Sequence, residues 1–298
     1  MPLELPPAPA HPRRLVYLGT PDFAVRPLRA LVDAGFDVAL VVSRADARRG
    51  RGGRTMPSPV KAAALELGLP VSDTVDDVLD VGADLGVVVA FGRLIRANVL
   101  TALPLVNLHF SLLPRWRGAA PVERAVLAGD EVTGVDLMVV EEGLDTGGIY
   151  ARAEVPIGPD DTVDELRARL TEEGTRLLLD GLRDGLGEPQ PQVGEPTYAH
   201  KIEPSELQID WTRPAVEIHR LVRVGGAWTT FRGKRLKVWR TSLAATAEGV
   251  DVPDGVDVPA GDGPIRLVEV QPEGKPRMAA TAWANGARWE PGSEPLGG

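Results

Sequence analysis

The amino-acid sequence predicts an α/β protein, with a Rossmann-like, mostly parallel sheet in a first domain and a small β-barrel of the OB-like type in a second. Three observations lead there. The apolar runs Leu15 to Leu18, Val38 to Val42 and Leu85 to Val89 are unbroken rather than alternating, which marks strands buried on both faces. Helical patterns separate them, as crossovers between parallel strands require. Beyond residue 210 the chain turns to short strands, such as Arg235 to Trp239 and Ile265 to Val270, parted by Gly and Pro.

The elements follow in order. Residues 1–13 hold five prolines and no apolar run, so a disordered tail is expected and a secretory signal is not. Arg14 to Leu18 reads as a strand closed by Gly19-Thr20-Pro21. Residues 23–34 read as a helix with Phe23, Leu28, Leu31 and Val32 on one side and Gly35 at its end. A nicotinamide or flavin enzyme would carry three spaced glycines after the first strand. This chain has Gly19 alone in GTPDFA, which speaks against dinucleotide binding. Pro59 opens a helix that Gly68 ends. Thr162 and Glu165 form a capping box before a helix over 163–184, striped by Leu166, Leu170, Leu177 and Leu178. The domains expected are 14–188 and 211–298, joined by a proline-rich extended linker over 189–210.

Composition narrows the function. With 43% hydrophobic residues the 298-residue chain can bury sizeable cores. Without cysteine it has no disulfide frame, thiolate metal site or cysteine nucleophile. No run approaches the ~18 consecutive apolar residues of a membrane span, so a cytoplasmic protein without membrane association is expected. The net charge of −9 argues against nucleic acid until it is divided by region. Residues 1–210 hold 21 basic and 32 acidic side chains, whereas 211–298 hold 12 and 10. Within 213–240 eight Lys and Arg face Glu217 alone.

Polar residues concentrate between 106 and 147. Leu105-Val106-Asn107-Leu108-His109 runs from apolar residues into two polar side chains two positions apart, hence on one face of a strand. They stand at its carboxyl end, where α/β folds place ligands. Val135 to Val140 is the next strand, and the acidic loop Glu141 to Gly148, with Asp145, follows it, so the three residues are expected to converge at neighbouring strand ends. Any one of them alone has a bland structural reading. Together they suit acyl transfer without a covalent intermediate. Asn donates to an oxygen gaining negative charge, His stabilises that oxyanion or passes a proton to the departing nitrogen, and Asp orients the His ring. No His-rich metal cluster assembles and no G-x-S-x-G elbow is present.

The string NLHFSLLPRWRG from Asn107 to Gly118, followed by AAP and later by EEGLDTGG, resembles the N-x-H…SLLP…D signature of the 10-formyltetrahydrofolate-dependent formyltransferases. The PRWRGAAP variant, GTPDFA at 19–24, MPSPVK at 56–61 and KVW at 237–239 are similar to the branch of that family that acts on methionyl-tRNA. The resemblance implies formyl transfer from 10-formyltetrahydrofolate, a co-substrate, to the α-amino group of methionyl initiator tRNA in translation initiation. It implies direct attack through a tetrahedral intermediate, without a metal. Carried over residue by residue, Asn107, His109 and Asp145 are catalytic, and Ser111, Leu112, Leu113 and Pro114 form the folate-binding loop. The backbone around Val89, Phe91 and Gly92 faces the pterin, with Phe91 where many relatives carry tyrosine. The partners implied are initiator methionyl-tRNA and folate, with the protein acting as a monomer.

Two basic segments bear on the acceptor. Arg44, Arg48, Arg49, Arg51 and Arg54 share a glycine-interleaved, flexible loop that can contact phosphates, and it matches the family's tRNA-contacting insertion. In the second domain Lys234, Arg235 and Lys237 suit an RNA backbone. Residues 243–260 look too short and acidic for all the expected strands, so a trimmed barrel is predicted. Two other readings stay open. One is a formyltransferase of the same fold acting on a small amine, such as an amino-sugar nucleotide or glycinamide ribonucleotide, which would need neither arginine loop nor second domain. The other is a folate- or RNA-binding module without turnover.

Overall fold

The structure, a computed structural model, describes residues 3–49, 53–243, 254–290 and 294–297. Two compact units divide the chain. The first comprises Met1–Pro121, Val132–Pro156 and Arg167–His200, and the second Val122–Glu131, Ile157–Leu166 and Lys201–Gly298.

In the first unit the unbroken apolar runs become central strands. These are β1 (Arg14–Gly19), β2 (Asp37–Val42) and, after intervening elements, the run Leu85–Val89, fully buried along its length. Helix α1 (Val25–Asp33) returns the chain from β1 to β2. After β2 come β3 (Ala47–Arg49) and β4 (Arg54–Met56), an antiparallel pair. Helix α2 (Pro59–Glu66) then starts where Ser58 accepts the Lys61 N–H at 3.0 Å, and β5 (Val71–Ser72) follows. Leu85–Val89 is β6, followed by the short α3 (Ala97–Leu100), β7 (Leu105–His109), β8 (Arg117–Gly118) and α4 (Pro121–Ala128), which from Val122 on belongs to the second unit, as does the first turn of α5 below. Strands β9 (Val132–Val139) and β10 (Ile149–Pro156), helix α5 (Val163–Asp184) and β11 (Tyr198–Ala199) complete this part. The sheet has the order β10-β9-β7-β6-β1-β2-β5. The run from β7 to β5 is parallel, while β9 is antiparallel to both of its neighbours. The capping box of α5 forms as its spacing predicts, Glu165 accepting the Thr162 N–H at 2.9 Å and Thr162 Oγ1 the Glu165 N–H at 3.2 Å.

Two expectations are corrected here. Residues 3–13 are not a free tail: Leu3 and Leu5 pack against the core of Val16, Leu18 and Val88, and Ala10 accepts the Leu186 N–H at 3.4 Å. The segment after α5 is extended but is no loose linker. Gln190 exchanges two main-chain hydrogen bonds with Ile149, both 2.8 Å, and β11 pairs in parallel with β8.

The second unit is an open antiparallel sheet with helices on its apolar side. Its elements are α6 (Ala215–Val224), β12 (Trp228–Phe231), β13 (Lys234–Leu243), β14 (Val256–Ala260), β15 (Gly263–Pro272), β16 (Met278–Ala279) and α7 (Ala280–Ala287). The order is β12-β13-β15-β14, with β16 beside β15. Register shifts around Arg240 bend β13, so the sheet curls into the trimmed half-barrel that the sequence predicts. Part of the acidic stretch, 244–253, lies outside the described residues. Leu236, Val238, Leu267 and Val270 pack with Ile218 and Val222 of α6 and Trp283 of α7. Buried His219 faces Thr241 Oγ1 at 2.9 Å and the Pro159 carbonyl at 3.2 Å, while Arg223 donates to the Asp161 and Gly158 carbonyls at 2.7 and 2.8 Å. Burial lowers the His219 pKa below the ordinary imidazole range.

Candidate active site

The polar pair of β7 is set by its register. Asn107 lies between Val88 of β6 and Met138 of β9, and His109 lies opposite Asp136. Being two residues apart, they project from the same face. His109 is buried, with Nε2 at 3.0 Å from the Trp116 carbonyl, to which it can only donate, and Nδ1 at 3.5 Å from Asp145 Oδ2. Asn107 is half-buried, and among the described residues its carboxamide makes no hydrogen bond, which leaves its N–H groups available to a substrate oxygen.

Asp145 arrives by a different route from the one expected. Because β9 is antiparallel, Val139 pairs with Val106 at the beginning of β7, and the loop after β9 must fold back to reach His109. Three contacts hold it there. Asp145 Oδ2 accepts the Gly118 N–H at 2.8 Å, and the Gln192 carboxamide donates to the Asp145 and Gly147 carbonyls at 2.8 and 2.9 Å. The Gln192 oxygen in turn accepts from Arg117 Nη2 at 2.6 Å and Nε at 3.1 Å. Asp145 adopts a left-handed backbone with φ 50°, as do Ala90 and Trp116 nearby in the same unit, with φ 47° and 63°. Such conformations cost about 1–3 kcal/mol each and persist where their surroundings over-determine them. Gly118 must be glycine: its φ is 124°, and a Cβ there would lie 2.8 Å from the Ala199 carbonyl oxygen of β11.

An ion pair between a buried carboxylate and a solvent-reaching guanidinium fixes the SLLP segment. Asp136, fully buried, accepts from Arg152 Nε and Nη2, both at 2.7 Å, and from the Leu113 N–H at 2.8 Å, while Arg152 donates to the Leu113 carbonyl at 2.6 Å. Both main-chain groups of Leu113 are thereby occupied. Burial raises the Asp136 pKa against the opposing pull of Arg152. Gly134 of β9 makes room for the neighbouring Leu112, whose Cδ2 would stand 2.3 Å from a Cβ there.

A family model described as formyl transferase matches residues 13–182, and one described as formyl transferase, C-terminal domain, matches residues 201–288. The chain belongs to the formyl transferase family. Its relatives include the methionyl-tRNA formyltransferase of Symbiobacterium thermophilum, 44% identical over 301 residues covering 92% of each chain. That of Jannaschia sp. is 45% identical over 298 residues, 94% of this chain and 99% of the relative. Two solved structures share the fold. The N-formyltransferase of Helicobacter canadensis, in complex with folinic acid and dTDP-3-aminofucose, has a TM-score of 0.65 at 18% identity, covering 86% of this chain and 98% of that one. The methionyl-tRNA formyltransferase of Clostridium thermocellum has a TM-score of 0.56 at 16% identity, covering 78% and 93%.

For this formyl transferase the expected folate residues divide by exposure. The side chains of Val89, Phe91, Ser111, Leu113 and Pro114 are buried, and Ser111 Oγ donates to the Arg115 carbonyl at 2.6 Å. The Phe91 ring sits in the core, with the Arg93 guanidinium 5.5 Å from its centre. What the 89–92 turn presents is main chain, at exposed Ala90 and Gly92. Arg44, expected to meet tRNA, donates to the Gly92 carbonyl at 3.2 Å. Arg48 and Arg49 lie on β3 and Arg54 on its antiparallel partner β4, so these positions are strand where a flexible loop is expected, and Arg51 lies outside the described residues. On β13, Arg235 and Lys237 share the face of Trp239, whereas Lys234 falls on the same side of the strand as buried Leu236 and Val238. Sequence reasoning missed Asp136, Arg152, Arg117 and Gln192. A charge inside the apolar run VTGVDLMV was a visible signal for Asp136; nothing periodic marks Gln192.

Proposed function

We propose that this chain transfers the formyl group of 10-formyltetrahydrofolate to the α-amino group of methionine carried by initiator tRNA. The observation that carries the reading is the uncommitted Asn107 carboxamide beside His109, itself backed by Asp145. Relatives 41–45% identical over more than nine-tenths of the chain and named methionyl-tRNA formyltransferase support it.

Asn107 donates to the formyl oxygen as that oxygen gains charge on attack by the neutral amine; on collapse the bond from the formyl carbon to the folate nitrogen breaks, and the proton lost by the amine ends on that nitrogen. His109 donates from Nε2, the formyl oxygen taking the place of the Trp116 carbonyl, and Asp145 holds the ring in that orientation. The main chain at Ala90 and Gly92 and the SLLP segment border the folate. The arginines of β3 and β4 and the outward cations of β13 receive the tRNA backbone. The test is an assay of purified protein with 10-formyltetrahydrofolate and either methionyl initiator tRNA or an amino-sugar nucleotide. N-formylmethionyl-tRNA is the expected product, and formylation of the sugar nucleotide but not of the tRNA refutes the proposal.

A further inference from the structure

The outward face of the second unit's sheet carries aromatic rings whose π-faces are already occupied by cations. Trp228, Lys237 and Gln271 stand opposite one another on β12, β13 and β15, so they form one row. The Arg235 guanidinium lies 3.9 Å from the centre of the Trp228 ring. Trp239 is approached by Arg277 at 3.4 Å and by the Lys237 ammonium at 5.5 Å. Both indoles are fixed at their edges. Trp228 Nε1 donates to the Pro204 carbonyl at 3.3 Å, Trp239 Nε1 donates to Gln271 Oε1 at 3.0 Å, and Gln271 donates onward to the Lys275 carbonyl at 2.9 Å.

Charge on this face is not neutralised as it is elsewhere in the unit. Arg124, Arg213, Arg232 and Arg266 pair with Glu206, Glu217, Glu294 and Asp257. Among the described residues, Arg235, Lys237 and Arg277 have no ion-pair partner; Glu273 accepts the Arg235 main-chain N–H at 3.1 Å, not its guanidinium. A guanidinium centred this close over an indole leaves its far side and the ring edge to a nucleobase, while its N–H groups suit phosphate. A partner that offers only charge would leave the planar surfaces unused.

We propose that Trp228 and Trp239, with Arg235 and Arg277 over their rings and the Lys237 ammonium beside them, form a base-stacking surface for an unpaired stretch of the tRNA substrate. The second unit then holds its RNA by stacking as well as by charge. This rests on the tRNA reading above, and the experiment separates the two.

Affinity for uncharged initiator tRNA is measured over a range of salt for the full chain, Trp239→Leu, Trp239→Phe and Arg277→Ala, with heparin as a base-free polyanion. Loss of one stacked base weakens binding by about tenfold. Trp239→Leu is expected to lose that much at every salt concentration with an unchanged slope of log affinity against log salt. Its heparin binding stays at the wild-type level, and Trp239→Phe recovers most of the tRNA affinity. Arg277→Ala flattens the slope by about one phosphate contact for both ligands. The inference is overturned if Trp239→Leu binds tRNA as the wild type does, or if it loses tRNA and heparin alike, which reduces the face to a charged edge. Failure of the wild-type protein to formylate methionyl-tRNA sinks the proposed function instead, whatever the Trp239 variants show.

Discussion

Gln192→Ala tests whether the folded-back loop is held by the side chain that clamps it. The carboxamide makes two donations, to the Asp145 and Gly147 carbonyls, and accepts twice from Arg117. A neutral hydrogen bond contributes about 1 kcal/mol net, so the two donations supply about 2 kcal/mol of restraint. That matches the ~1–3 kcal/mol cost of the left-handed backbone at Asp145 which they oppose. Without them the loop relaxes, and Asp145 leaves His109 for most of the time. A 2 kcal/mol shift corresponds to about 30-fold, and the loss falls on kcat because Gln192 borders neither substrate in the proposed arrangement. Steady-state kinetics with both substrates varied should give kcat down about 10- to 50-fold and both KM values within about twofold. The thermal midpoint should fall by only ~2–4 °C. Gln192→Glu keeps an acceptor for Arg117 but faces two carbonyls with a carboxylate, and it should be as slow as the alanine variant. Full kcat in Gln192→Ala refutes the clamp.

Asn107→Ala and His109→Ala should each lower kcat by about 10²–10³-fold, the range for one oxyanion donor, with tRNA affinity by filter binding unchanged. Replacing Arg44, Arg48, Arg49, Arg51 and Arg54 by alanine should weaken tRNA binding and flatten its salt dependence. Arg44→Ala alone should also raise the KM of the formyl donor, because it releases the Gly92 carbonyl. His219 gives a pH dependence of stability. Its folded-state pKa is depressed, so as pH falls through about 6.5 the unfolded chain takes up a proton that the folded chain resists. Stability of the second unit should therefore be lost below that pH at up to ~1.4 kcal/mol per pH unit, and urea unfolding of His219→Gln should show a flatter profile.

The parts legible in the sequence were those with a local signature. Leu85 to Val89 is apolar without interruption and could only be a doubly covered strand, and Thr162 with Glu165 announced the start of α5. Asn107 and His109 were legible as a pair because alternation along a strand fixes their common face. The direction of β9 was not, since an apolar strand reads alike whether it pairs parallel or antiparallel; the route of the Asp145 loop was lost with it. Gln192 lay hidden for a related reason. Its partners are main-chain carbonyls at Asp145 and Gly147, distant in sequence, and carbonyls have no residue code. Parity along β13 separates Lys234 from Arg235 and Lys237, a distinction that a regional charge total does not carry.

The pairing of β11 with β8 has a mechanical consequence. Between Gln192 and Lys201 the chain is pinned at Thr197 to Ala199, which hydrogen-bond to Pro114, Trp116, Arg117, Ala119 and Ala120. Any tension transmitted along the chain from Lys201 onward meets these bonds before it reaches the Gln192 clamp. The pinned residues act as a strain relief, so in the proposed function Asp145 is insulated from pulling by a tethered tRNA.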